Sequence, residues 1–159
     1  MAQLERLYQL YNAYEEKTKE VRRKASRYAG AFGLGDDPRK HECHEDFFDD
    51  VGRWVQDFLN EDPTAGEITQ AACWILKAAD ARRDTDVYWL MYAAQSHAGA
   101  LIPHMSREES LQLLQWYDGA YPKGERLPAQ QEVYRILRKQ SGLPENPGRR
   151  GFRSLFKRT

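Results

Sequence analysis

The feature that most constrains the fold is an unbroken heptad pattern over the first 32 residues. Apolar or weakly polar side chains recur there at alternating spacings of three and four residues, which is typical of a helix that buries one face. The seam consists of Leu4, Leu7, Tyr11, Tyr14, Thr18, Val21, Ala25, Tyr28 and Phe32. A helix from Ala2 to Ala29 would be roughly 40 Å long. We expect such a helix either to pack along a bundle or to form an intermolecular coiled coil.

The rest of the chain divides into further amphipathic helices. Each is preceded by residues that favour a helix start, namely Asp37-Pro38, Thr64, Asp84 or Thr85, Ser106 and Pro128. The pattern predicts that the fourth helix runs without a break to Leu101. No segment alternates apolar and polar residues for long enough to predict a strand. The sequence therefore predicts an all-α bundle of five to seven helices, with a long N-terminal helix.

We predict two regions, a helical bundle domain over residues 1–143 and a basic, flexible tail over residues 144–159. The candidate binding residues of the tail are Arg149, Arg150, Phe152, Arg153, Phe156, Lys157 and Arg158. Cations interleaved with rings could grip the phosphates and bases of a nucleic acid, but they also suit a membrane surface, an acidic protein or an ordinary solubilising terminus. Residues 36–67 carry 3 basic and 11 acidic side chains. The two ends of the chain are basic, with 7 basic and 4 acidic side chains over residues 1–35 and 5 basic and 1 acidic over residues 142–159. These ends either neutralise the acidic middle or meet an anionic partner.

Composition excludes several classes of protein. The hydrophobic fraction is 41% and the charged fraction 30%, values typical of a globular chain and not of a disordered one. The longest uncharged stretch, over residues 87–106, contains too many polar residues, glycine and proline for a transmembrane segment. Two cysteines and the absence of an apolar leader favour a cytoplasmic location.

A cluster at the start of the second helix offers the best candidate for metal chemistry. His41, Cys43, His44 and Glu45 are residue types that bind zinc, and His41, His44 and Glu45 share one helical face. A zinc site usually needs ligands from a second element, and His97, His104 or Cys73 would have to fold nearby. The alternative is a polar first turn, in which the helix dipole stabilises acidic side chains. No cofactor motif is present, so we predict no cofactor.

Tyr8, Tyr11 and Tyr14 on the first helix are candidate partner-binding residues. Tyrosine is enriched at protein interfaces, but these rings could equally cover the core of the bundle with their hydroxyls in water.

Three functional hypotheses follow from these patterns. The first is a non-catalytic binding or adaptor protein that uses helix faces and the basic tail, with a protein partner or a nucleic acid. The second is a metal-binding or hydrolytic bundle that uses the cluster at residues 41–46. The third is a structural protein that forms homo-oligomers through its tyrosine-rich first helix.

Overall fold

A computed structural model describes residues 2–32, 38–85 and 87–144, without the side chains of 25–32 and 38–42. Every regular element in these ranges is helical, so the predicted all-α bundle with a long N-terminal helix is confirmed. The α-helices are α1 (Ala2–Phe32), α2 (Pro38–Asn60), α3 (Ala65–Asp80), α4 (Tyr88–Ala94), α5 (Ala98–Leu101), α6 (Arg107–Ala120) and α7 (Pro128–Gln140). In the described ranges, no helix is both long enough and apolar enough to cross a bilayer.

The stretch from 88 to 104, here called the interrupted helix, is one rod with two tighter turns. It consists of α4, a 3₁₀ turn over Gln95–His97, α5 and a second 3₁₀ turn over Ile102–His104. The prediction of a continuous helix from residue 84 or 85 was therefore wrong. The hydroxyl of Thr85 donates to the carbonyl of Arg82, which places Thr85 in the turn before α4. The side-chain amide of Gln95 is buried and donates to the backbone carbonyl of Leu76. A contact with α3 therefore accompanies the first 3₁₀ turn.

The described helices form three antiparallel hairpins. In the first, Gln3 near the start of α1 bonds to Glu61 just beyond α2. Tyr14, farther along α1, bonds to Asp50 within α2. In the second, α3 pairs with the interrupted helix through the contact between Gln95 and Leu76. In the third, Arg107 at the start of α6 donates to the carbonyl of Ser141 after the end of α7.

The hairpins stand side by side, which creates two layers of helices. In one layer α1, α3 and α6 run parallel. Glu15 of α1 forms an ion pair with Arg82 just after α3, and Thr69 of α3 donates to Glu109 of α6. The other layer contains α2, the interrupted helix and α7, with His97 against α2. The middle hairpin therefore touches both of its neighbours.

The core runs continuously between the two layers. Its fully buried members come from every hairpin, including Leu7, Phe47, Ile75, Leu90, Met91 and Leu137. The heptad seam of α1 is buried at Leu4, Leu7, Tyr11 and Thr18. Over residues 4–18 the seam thus packs along the bundle of its own chain, the first of the two arrangements that its length allows. Burial of this apolar area is the main favourable contribution to folding.

Helix ends follow the capping residues closely. The Thr64–Glu67 capping box is present, with the Glu67 N–H donating to Thr64 Oγ1 at 3.3 Å and the Thr64 N–H donating to Glu67 Oε2 at 2.9 Å. Ser106 accepts from the Glu109 N–H in the same way at α6. The helix α1 continues past Gly30 to Phe32, whereas the predicted helix ends at Ala29. A single glycine costs a helix only about 1 kcal/mol, so it does not by itself enforce an end.

Candidate binding face

The three candidate tyrosines of α1 differ in their surroundings. Tyr11 is 0% exposed and contacts Phe47 and Trp74, with ring centroids 4.9 and 6.0 Å away. The half-buried Tyr14 donates its hydroxyl to Asp50 Oδ2 at 2.6 Å. Burial and this carboxylate together raise the pKa of Tyr14 well above its ordinary value. Tyr8 is half-buried and lies on the side of α1 that faces α3. Of the three, Tyr8 is therefore the one that contributes to a groove between helices.

The predicted metal cluster is spread over different sides of α2. Cys43 is 3% exposed and belongs to the buried side, His44 is half-buried and Glu45 is exposed. The side chain of His41 lies outside the described residues. Among the side chains that are described, no three histidines, cysteines or carboxylates lie close enough together to hold a metal ion.

His97 and His104, the candidate metal ligands on the interrupted helix, have different surroundings. The His97 ring packs on Phe48 with centroids 4.2 Å apart, and His97 Nε2 lies 2.8 Å from the Phe48 carbonyl oxygen. Burial lowers the pKa of His97, which favours the neutral ring that donates from Nε2. His104 is exposed in the last 3₁₀ turn. Zinc binding at residues 41–45 stays a prediction.

The candidate residues of the basic tail, from Arg149 to Arg158, lie outside the described residues. The last described residue, Pro144, accepts a hydrogen bond from Arg138 of α7 at 2.6 Å. The tail therefore starts from a fixed point after α7.

One side of the layer formed by α1, α3 and α6 carries a row of rings that crosses all three helices. We call this surface the aromatic face and define it as Tyr8, Trp74, Lys77 and Trp116. The rings of Tyr8 and Trp74 lie 4.3 Å apart between centroids, and both are half-buried. Lys77 Nζ lies 5.2 Å from the centroid of the half-buried Trp116 ring. Each hairpin thus contributes to one continuous surface.

A groove of about 460 Å³ opens on this face between α1 and α3. Its walls are rings, small side chains and two cations, and its lining consists of Tyr8, Gln70, Cys73, Trp74, Lys77, Ala78, Ala81 and Arg82. No histidine, aspartate or glutamate occurs in that lining. The groups in this lining that belong to the nucleophile and acid–base classes are the Cys73 thiol, the Lys77 ammonium and the Tyr8 hydroxyl. The rings and small side chains of the lining are suited to contacts with apolar groups.

The charges at the groove differ in how they are balanced. Arg82 Nη2 lies 3.0 Å from Glu15 Oε2, and both side chains are largely buried, so this pair neutralises itself. Lys77 is exposed and makes no ion pair in the part of the chain that the structure describes. The carboxylate of Glu109 accepts from the hydroxyls of Thr69 and Ser106, which lower its pKa. Glu109 is therefore ionised, and its charge acts on Cys73, whereas Lys77 is the cation of the lining that has no ion-pair partner among the described residues.

Cys73 places a thiol in the wall of the groove. Partial burial raises the pKa of this thiol above its ordinary value, which lowers its thiolate fraction and slows its reactions near neutral pH. Cys43, the second free cysteine, is buried in the core. The two thiols therefore differ in access to reagents.

Two other surfaces are less suited to hold a partner. Trp89 is 57% exposed, contacts the rings of Tyr88 and Tyr92, and does not line either of the two grooves described here. A groove of about 590 Å³ between α1 and α2 has a mixed lining, in which Asp50 is already bonded to Arg53 and Glu61 to Gln3.

Sequence reasoning found Tyr8 but missed the rest of the aromatic face. The available signal was a tryptophan at the edge of the apolar stripe of α3, with a lysine one turn later. The contributions of α1 and α6 to the same surface depend on how the hairpins stack.

The chain was also compared with known proteins. No protein-family model matches it, and neither a curated protein nor a solved structure matches it.

Proposed function

We propose that this chain is a non-catalytic binding protein that recruits a partner protein through the aromatic face. The observation that carries the proposal is a row of half-buried rings across three hairpins, beside a groove of about 460 Å³ that is lined by rings and small side chains. Tryptophan and tyrosine dominate the binding energy of many interfaces because they bury a large area at low entropic cost. The predicted role of the basic tail is part of the same proposal. The metal-binding and self-association hypotheses stay predictions without support from the described contacts.

The experiment compares two exposed alanines that differ in their position relative to the groove. Ala81 lines the groove and is exposed, so Ala81→Trp fills it without disturbing the core. Ala13 is exposed on α1 and does not line the groove, so Ala13→Trp is the matched control. Each variant is immobilised with the wild type, and proteins captured from nuclease-treated extract are quantified by mass spectrometry.

We expect at least one protein to be captured by the wild type and by Ala13→Trp and to be lost with Ala81→Trp. Nuclease treatment removes proteins that are tethered through nucleic acid. Identical capture by all three chains would contradict a partner site on the aromatic face.

A further inference from the structure

The groove between α1 and α3 has a definite length and shape. Its lining on α3 runs from Gln70 to Arg82, which is about 18 Å along a helix axis at 1.5 Å per residue. That length matches about 12 residues of a bound helix or five to six residues of an extended strand. The groove therefore suits a short segment of a protein chain.

The charge distribution favours an acidic occupant. Lys77 Nζ lies over the ring of Trp116, which attracts the ammonium group and partly removes its water. Lys77 is exposed and no carboxylate lines the groove, and the nearby carboxylate of Glu109 accepts hydrogen bonds from Thr69 and Ser106. Arg82 is already neutralised by Glu15, so a bound carboxylate would find its partner at Lys77. A single unbalanced cation is a poor match for a nucleic-acid backbone, whose binding depends on several neutralised phosphates.

The rest of the lining favours apolar side chains. The rings of Tyr8 and Trp74 meet in the groove, with Cys73 and Ala78 on α3 beside them. We infer that the groove binds a short acidic, amphipathic segment of a partner protein, with apolar side chains against Tyr8 and Trp74 and a carboxylate at Lys77. This inference rests on the proposed function and adds the chemistry of the partner to it.

The test uses random 12-residue peptides displayed on phage and selected on the full-length wild-type chain. Enriched peptides are synthesised, and their dissociation constants are measured by fluorescence anisotropy on the wild type, Lys77→Gln, Lys77→Glu, Ala81→Trp and the control Ala13→Trp. Circular dichroism verifies the fold of each variant. Alkylation of Cys73 is followed by mass spectrometry with and without peptide, and the buried Cys43 is the internal reference.

We expect the enriched peptides to combine carboxylates with aromatic or aliphatic side chains. Loss of one charge–charge contact in Lys77→Gln should weaken binding about tenfold, and reversal in Lys77→Glu should weaken it further. Ala81→Trp should abolish binding, Ala13→Trp should leave it unchanged, and bound peptide should slow alkylation of Cys73.

Two results would overturn the inference in different ways. One result is enrichment of neutral or basic peptides that bind Lys77→Glu as tightly as the wild type but do not bind Ala81→Trp. This result would refute an acidic partner and would still support the proposed binding role of the aromatic face. No enrichment, or peptides unaffected by Ala81→Trp, would refute the proposed function as well.

Discussion

Gly52 allows α2 and the interrupted helix to approach each other closely. A Cβ atom at this position would lie 2.8 Å from His97 Cε1 and 3.2 Å from Nε2. The ring cannot move away freely, because it packs on Phe48 and bonds to the carbonyl of that residue. The absence of a side chain at residue 52 therefore permits the close approach of two neighbouring hairpins.

We expect Gly52→Ala to lower the free energy of unfolding by about 1–3 kcal/mol, the usual cost of overpacking a site with little room. Gly66→Ala is the control, since no atom lies within 4 Å of a Cβ atom there and alanine favours the helix. Urea denaturation followed by circular dichroism measures both. Equal stability of the two variants would mean that the His97 ring adjusts without cost.

At the scale of elements, the sequence predicted helices well where the signal is local. The caps at Thr64 and Ser106 act through residues three positions later, so the sequence contains both partners of each bond. The break at Gln95 was not predictable in this way. The side-chain amide of Gln95 forms hydrogen bonds with Leu76 and Tyr121, which lie 19 and 26 residues away along the chain. The spacing of apolar residues continues unchanged through the break.

The capping box of α3 gives a prediction at this scale. Thr64→Ala removes the acceptor of the Glu67 N–H and should lower the free energy of unfolding by about 1 kcal/mol. Thr64→Ser keeps the hydroxyl and should stay within about 0.5 kcal/mol of the wild type. The two variants are compared by urea denaturation, and a Thr64→Ala chain as stable as Thr64→Ser would show that the start of α3 is held by packing alone.

At the scale of the whole molecule, the aromatic face was the part that the sequence could not predict. The heptad seam identified the buried side of α1, and the tyrosines along it marked a possible surface. Trp74 and Trp116 are 42 residues apart and come together on one face only because α3 and α6 run parallel. The surface therefore depends on the register between hairpins, which single helices do not specify.

Deleting residues 145–159 should leave the bundle intact and weaken partner binding. The deletion removes five basic side chains but keeps the bond between Arg138 and the carbonyl of Pro144. We expect the melting temperature to change by less than about 2 °C, as for a loss below about 0.5 kcal/mol. Thermal denaturation and the anisotropy assay measure the two effects. A full-length chain in which the five basic residues of the tail are changed to glutamine distinguishes an effect of charge from an effect of tail length. Undiminished affinity in both variants would exclude the tail from binding.

The aromatic face crosses all three hairpins, and this has a thermodynamic consequence. A ligand that contacts Tyr8, Trp74 and Trp116 together can bind only while the hairpins keep their mutual register. Its binding energy would then be added to the stability of the entire molecule, by about 2.7 kcal/mol at a concentration one hundred times its dissociation constant. The melting temperature of the chain would thus report occupancy of the face, even for a ligand whose identity is unknown.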